Sequence, residues 1–436
     1  MLIRLHKLAI TCIPLLLCIL LCSGCSNHNQ QTSNVINLRM SVFGAKQESD
    51  LANALARKFE KTHPNIKVNV EPVAGTGYDV KLIMQSAANT LPDVVFLTDT
   101  LVPPFIDFKV VRNLRDFTDK DKSFNLDDIY PQMRNTGVGK DGGLYMLPRE
   151  LGVVVLFYNR TLFKRAGLPD PRPDWNYDDL LRIAKKLTIK DENGRIIQYG
   201  MSAPYAWGAC YSAWVIANGG SVINSQGRST FSKPETLRAL HTLTDLVTVY
   251  KVSMPPNQSL TAPGIDPFAA GKVAMIINVF PQVPQFRATM RNFDWDVQML
   301  PAGRVKRVIN IGSAGYGISS TTKHPQESWE FLKYIMSQEG QRVLGRTGSG
   351  IPALKSLAND PCWRKPNLKP HNLDAFINSV KYGMDWQTIM PLTKSEVSDA
   401  VSEAFDKVFT GQADVETAFK AADIKINRIL DAESKQ

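Results

Sequence analysis

Beyond residue 25 the chain has only two cysteines, Cys210 and Cys362. That excludes a small scaffold built on disulfides. Two buried free thiols is the plainer state for the pair; an oxidising compartment would permit a bridge, but their wide separation in sequence carries no information about distance in space. Only one apolar run stands out, at the extreme N-terminus, which excludes a polytopic membrane protein. The formal charge of +10 is scattered, with no run of Lys and Arg, so the footprint of a nucleic-acid binder is absent. Nucleotide motifs are missing too. Gly271-Lys272 has Asp266 where a phosphate loop needs its first glycine, and Val273 follows the lysine. Gly348-Ser349-Gly350 is followed by Pro352 and lacks an upstream strand, so it is no dinucleotide fingerprint. There is no His-Glu-x-x-His and no Gly-x-Ser-x-Gly, and the six histidines never fall at metal-ligand spacing. No catalytic residue, cofactor or metal is therefore expected. What is present is an ordinary globular balance, 44% hydrophobic and 21% charged, in 436 residues. That length suits two domains and a tail.

The N-terminus reads as an address. Arg4 and Lys7 precede an apolar stretch from Leu8 to Leu21, and Cys22-Ser23-Gly24-Cys25 follows. A positive head, a short apolar run and small residues at the end describe a secretory signal peptide. The ending resembles a bacterial lipobox, although Cys22 stands where leucine is usual. That resemblance implies cleavage after residue 24 and acylation of Cys25. Residues 25–35 are polar and suit a tether off a membrane surface.

Alternation follows. Leu38–Phe43 reads as a strand, Leu51, Leu55 and Phe59 share one helical face, and Ile66, Val68 and Val70 alternate with polar residues. A helix over 78–88 and the apolar run Asp93–Leu97 complete a strand–helix–strand–helix–strand series, which implies a parallel sheet with helices on both sides. Ligands collect at the carboxyl ends of such strands, so the loops after Phe43 and Leu97 direct attention to Gln47, Glu48 and Asp99. A second α/β unit begins near Leu147, with a strand over Gly152–Tyr158 and a helix over Tyr177–Leu187 capped by Asn176. Residues 395–430 read as two helices divided near Gly411.

Pro148–Phe163, an apolar strand, Tyr-Asn and a short helix with Leu-Phe, resembles the extracellular solute-binding proteins (family 1) of ABC sugar importers, within the maltose-binding protein superfamily. Trp175–Leu187, Ala217-Asn218-Gly219-Gly220, Phe268–Met275, Ile311–Ile318, Gly350-Ile351-Pro352-Ala353 and the amphipathic Val415–Leu430 follow in the same order, so the resemblance runs from about residue 36 to the end. It implies an α/β, two-lobed periplasmic-binding-protein fold, each lobe a mainly parallel sheet flanked by helices, with hinge crossings and C-terminal helices. Crossings are expected near 147–152, 311–319 and 354–359. One lobe is then 36–148 plus 315–354 and the other 149–314 plus 355–436, after a signal peptide over 1–24.

The resemblance also implies the function: a substrate-binding subunit that captures a mono- or oligosaccharide between the lobes, is no enzyme, and docks on the ABC permease. It implies an exported monomer, held by lipid at the cell membrane and facing the periplasm or the exterior. Sugar sites combine aromatic faces with carboxylates and amides. On that chemistry, and at positions the resemblance implies, the expected ligand residues are Asp99 after the third strand, Tyr205 and Trp207 in a loop, Phe280 after the Gly-Lys strand, Gly312, Ser313 and Tyr316 on a crossing, and Asp385 and Trp386 before the tail helices. Phe43, Gln47, Glu48, Tyr78, Arg149 and Glu150 rank second, and Trp214 is expected to pack in the core. Arg149 would instead favour an anionic ligand, such as glycerol phosphate or a sugar acid, if its charge is free. A surface glycoside hydrolase and a sensory adaptor are the readings from other classes; the hydrolase needs two carboxylates facing each other across the cleft.

Overall fold

The strands, in chain order, are β1 (Ile36–Phe43), β2 (Ile66–Val73), β3 (Val94–Thr98), β4 (Leu147–Pro148), β5 (Gly152–Tyr158), β6 (Ile189–Lys190), β7 (Ile196–Gln198), β8 (Met275–Val279), β9 (Asp296–Gln298), β10 (Ile311–Gly312) and β11 (Ala314–Ile318). They come from a computed structural model that describes residues 35–433 apart from 45, 74–76, 204–207, 257, 259, 262–264 and 385–388. β1 pairs with β2 in parallel, from Ile36 opposite Ile66 to Phe43 opposite Val73, and the helix Lys46–Thr62 between them buries Leu51, Leu55 and Phe59. β3 lies parallel to β1 on its other edge, and the sheet continues through β11 to β4 in the order β2-β1-β3-β11-β4.

The second sheet differs from the expected one. β5 pairs with β8, β9 and β10, and every one of these pairings is antiparallel. Both pairings of β11 in the first sheet are antiparallel as well. A mainly parallel sheet in each lobe is thus corrected: parallel pairing of named strands is confined to β1–β2 and β1–β3. Local alternation along the chain sets which segments are strands, whereas β8, β9 and β10 reach β5 after long excursions that leave strand direction unspecified. Parallel pairing beside the second sheet survives as single bridges, Tyr199 to Val273 and Ser202 to Ile276.

β5 is buried along Val153–Tyr158 and serves two apolar cores. Val153, Val155 and Phe157 point into the core that also contains the first sheet, together with Phe286, Trp295 and Phe376. Val154, Leu156 and Tyr158 point the other way, toward the helices Tyr177–Leu187, Gly208–Ala217, Pro234–Thr248, Ser395–Phe409 and Val415–Glu433. Period-two geometry makes one strand a wall shared by both cores. Asn176 caps the helix Tyr177–Leu187 as expected, its side chain accepting from the Asp178 and Asp179 amides while Asp179 bonds back to Asn176. Cys210 and Cys362 are both buried and free.

One buried carboxylate fastens the last helix to the turn before Pro234–Thr248. Buried Asp423 accepts from the Ser229 hydroxyl, the Phe231 amide (2.9 Å) and the Ser232 hydroxyl (2.6 Å). Asp423→Ala strands a buried amide and removes three of the polar contacts between this helix and the 229–232 turn, leaving the Ser229 amide on Asn427. We expect a loss of about 2–3 kcal/mol, since bonds to charged acceptors are the stronger ones, read as a lower urea midpoint with unchanged slope.

Candidate functional site

The chain passes between the sheets at two adjacent places. Residues 149–151 connect β4 in the first sheet to β5 in the second, and Ser313 connects β10 back to β11. The two strips are bonded side by side: Ile311 faces Val153, Gly312 faces Gly152, and the Arg149 amide donates to the Ala314 carbonyl at 2.9 Å. Glycine is required on both. A Cβ on Gly152 would overlap the Gly312 carbonyl oxygen, and one on Gly312 would lie 2.5 Å from Asp99 Oδ2. A third strip leans on the first, with the Leu151 amide donating to the Ile351 carbonyl (2.7 Å) and a bridge between Glu150 and Pro352. Farther along, Ser356 is still bonded to Asp128 beside the first sheet, whereas Trp363 packs on Phe280.

Arg149 occupies the centre of this junction and is 3% exposed. Its Nη1 and Nη2 donate to the two Glu48 carboxylate oxygens at 2.5 and 2.8 Å, a fork on a fork. Nη1 also donates to the Tyr316 hydroxyl at 3.1 Å, and Nε lies 3.6 Å from Glu150 Oε2. The rings of Phe96 and Tyr316 stand 5.2 and 5.7 Å from the guanidinium carbon. Burial pushes the Arg149 pKa down, but Tyr316, Glu150 and Glu48 outweigh it and hold the group above the usual arginine range. Glu150 is raised, chiefly by burial and against the pull of Arg149; the nearby charge of Glu48 adds to the rise. One cation thus serves two carboxylates. Glu48 reaches it from the first turn of the helix Lys46–Thr62, and Gln47 beside it donates to the Ser349 hydroxyl at 3.4 Å.

Asp99 follows β3 at its carboxyl end. Oδ1 accepts from the Thr100 amide at 2.8 Å and Oδ2 from the Ser313 amide at 3.0 Å. Burial lifts its pKa to about 7, the two amides oppose that, and the charge of Glu150 adds to it. The Ser313 hydroxyl donates to the Glu150 carbonyl at 3.1 Å, which fastens the return strip to the outgoing one. At the end of β1, Phe43 is 39% exposed, with the Tyr78 and Phe96 ring centroids 5.7 and 6.2 Å away. Tyr78 is buried and donates to the Phe96 carbonyl at 2.9 Å.

Glu48, Asp99, Arg149, Glu150, Gly312, Ser313 and Tyr316 therefore converge, with Gln47, Phe43 and Tyr78 at the margin. Phe280 does not join them. It is 2% exposed, its ring packed between Trp363 and Phe376 at 5.9 and 5.5 Å, so its place as a ligand aromatic is corrected to core packing. Trp214 donates to the Thr242 hydroxyl and meets Tyr177 edge-on, as packing predicts. Tyr205, Trp207, Asp385, Trp386 and Cys25 lie outside the described residues. Sequence reasoning missed Phe96 and Gly350. Phe96 looks like any apolar residue of a buried strand. Gly350, where a Cβ would lie 2.5 Å from Glu150 Oε2, belongs to a stretch that carries the family resemblance but has no site role assigned from sequence. No group of three or more His, Cys, Asp or Glu suited to a metal ion occurs among the described residues.

Comparison with known proteins agrees with this architecture. The pattern of the family described as bacterial extracellular solute-binding protein matches residues 45–342. The galactooligosaccharide-binding protein of Bacillus subtilis is 23% identical over 433 residues, covering 95% of this chain and 96% of the relative. The multiple sugar-binding protein of Streptococcus mutans is 22% identical, covering 84% and 87%. Among solved structures, an ABC substrate-binding protein of Listeria monocytogenes in complex with cycloalternan superposes with a TM-score of 0.76 at 26% identity, covering 91% of this chain and 99% of that one. Two lobes, chain crossings between them and a family pattern over more than half the sequence lead to one conclusion: the chain belongs to the bacterial extracellular solute-binding proteins.

Proposed function

We propose that the chain is the substrate-binding subunit of an ABC importer and captures a neutral mono- or oligosaccharide between its lobes for delivery to the membrane permease. The observation that carries the ligand class is the state of Arg149. Its guanidinium is buried and already matched by Glu48 and Tyr316, so no free cation is offered there to a phosphate or a uronate. What the junction offers a ligand instead is a carboxylate at the end of β3, Asp99, and an exposed ring at the end of neighbouring β1, Phe43. That pair suits sugar hydroxyls and a sugar C–H face. Tyr205, Trp207, Asp385 and Trp386 complete the site in this reading. Relatives named for galactooligosaccharides and multiple sugars, and similar structures holding cycloalternan and mannobiose, support it.

The protein acts as a receptor and catalyses no reaction. It is exported and anchored through an acylated Cys25, with residues 25–35 as tether and with lobes 36–148 plus 315–354 and 149–314 plus 355–436. It works as a monomer. Ligand is held by closure of the lobes, which requires that it bind the closed arrangement better than the open one. A thermal-shift series against neutral saccharides, sugar acids and glycerol phosphate tests the ligand class. A neutral saccharide is expected to raise the melting temperature, by the equivalent of about 2.7 kcal/mol at a hundredfold excess over Kd. Shifts confined to the anionic ligands would overturn the reading.

A further inference from the structure

The second lobe carries a groove of about 460 Å³ that shares no residue with the crossing cluster. It runs between the 220–223 segment, residues 306–308 and residues 381–384. Ile216, Val222, Val308 and Met384 are among its apolar residues, and its charged groups are all cationic: Lys306, Arg307 and Lys381. Among the described residues no Asp or Glu lines it. Among the described residues none of these three cations takes part in an ion pair. By contrast, Arg39 is paired with Glu71, Arg160 with Asp170 and Asp294, and Lys333 with Asp121 and Glu330.

The cations converge because the backbone holds them. The Val305 and Lys306 amides both donate to the Ala217 carbonyl at 3.1 Å, and the Gly303 amide donates to the Lys306 carbonyl at 2.9 Å. Ile309 donates to the Tyr382 carbonyl at 2.9 Å, which pins the 306–309 strip against 381–384. Arg307 and Lys381 then stand over the same ring: the guanidinium carbon is 5.2 Å and the ammonium nitrogen 5.0 Å from the Tyr382 centroid. Arg307 donates to the Trp175 carbonyl at 3.0 Å, while its Nε is buried with no partner. Like charges gathered around one ring, with no counter-charge among the described residues, repel each other, and an anion placed among them removes that repulsion.

We infer that this groove is a binding site for a phosphate group, the ligand being a phosphate ester or diester with an apolar or glyceryl stem. Arg307 supplies a planar donor fork, and Lys306 and Lys381 supply point charges, the combination that phosphate oxygens take. The apolar side chains accept the stem. None of its residues lies at the crossings.

Isothermal titration of the full chain in non-ionic detergent, at fixed ionic strength, tests the inference with two probes, inorganic phosphate and the soluble lipid dihexanoyl phosphatidylglycerol. The double variant Lys306→Ala/Lys381→Ala is compared with Lys323→Ala/Lys355→Ala, which removes the same charge from exposed positions elsewhere. Phosphate is expected to bind in the millimolar range, with affinity lowered roughly tenfold in the groove variant and unchanged in the control. Tighter binding of the lipid supports a membrane headgroup as the source, and tighter binding of inorganic phosphate supports a soluble one. No phosphate binding, or equal weakening by both variants, overturns the site and leaves these cations as a solvated face.

Discussion

Arg149→Ala is expected to lower the stability of the protein by about 3–5 kcal/mol at neutral pH, the range for breaking a buried ion pair by removing one partner. The guanidinium is 3% exposed, and the carboxylates of Glu48 and Glu150 are 18% and 13% exposed. Without Arg149 both carboxylates remain in a poorly solvated junction with no neighbouring cation, and the Tyr316 hydroxyl loses its donor. Two controls separate this from simple loss of packing. Adding Glu48→Gln and Glu150→Gln to Arg149→Ala should recover part of the loss, because the stranded charges go with them. The deficit should also narrow as the pH falls, because Glu150, already raised by burial, takes up a proton and its stranded charge is lost. Urea unfolding followed by circular dichroism reads all of these. A deficit under about 1 kcal/mol would mean that the pair is no more than a surface bridge.

The second large effect is a pH dependence traced to Asp99. Its folded pKa is raised to about 7 from an ordinary value of 3.8. Between those values the folded state keeps a proton that the unfolded state has lost, so stability falls as the pH rises from about 4 to about 7 and is level above that. The full shift corresponds to 1.36 kcal/mol per unit; because the residue is only partly buried, we expect a fall on the order of 2–4 kcal/mol. Asp99→Asn has no proton to lose, so the difference between wild type and variant isolates this group from Glu150 and His241, which are also raised. Melting temperatures at pH 4.5, 6 and 7.5 measure it. Parallel curves for the two proteins would show that Asp99 titrates normally. A saccharide hydroxyl donating to Asp99 favours the ionised form, so sugar binding near pH 7 should release protons, seen as a buffer-dependent heat.

Much of this architecture is legible in residues that act locally. The cap at Asn176 needs only its own side chain and two amides downstream, and the apolar run of β5 announces a strand. Asp99 is placed by a rule about where loops leave a sheet. Pairings that depend on distant segments are not legible in this way. The Glu48–Arg149 fork joins groups 101 positions apart, and nothing near Arg149 distinguishes a charge waiting for a ligand from one already matched. Phe280 shows the converse failure. An aromatic after a strand is sound chemistry for a sugar platform, yet Trp363 and Phe376, reached only after long stretches of chain, enclose its ring. The antiparallel second sheet has the same origin, since strand direction is decided by connections rather than by alternation.

The close approach of Gly152 and Gly312 has a mechanical meaning. Two bodies hung from each other by a pair of parallel threads resist twisting less the closer the threads lie, as in a bifilar suspension. Here the threads are the outgoing and returning strips, and at their narrowest point no side chain separates them. With no side chain between the strips, rotation of one lobe against the other about this axis is expected to meet less resistance than it would with one interposed. Every atom added between the strips would stiffen the torsion, and a receptor stiff in torsion would release its cargo as reluctantly as it took it up.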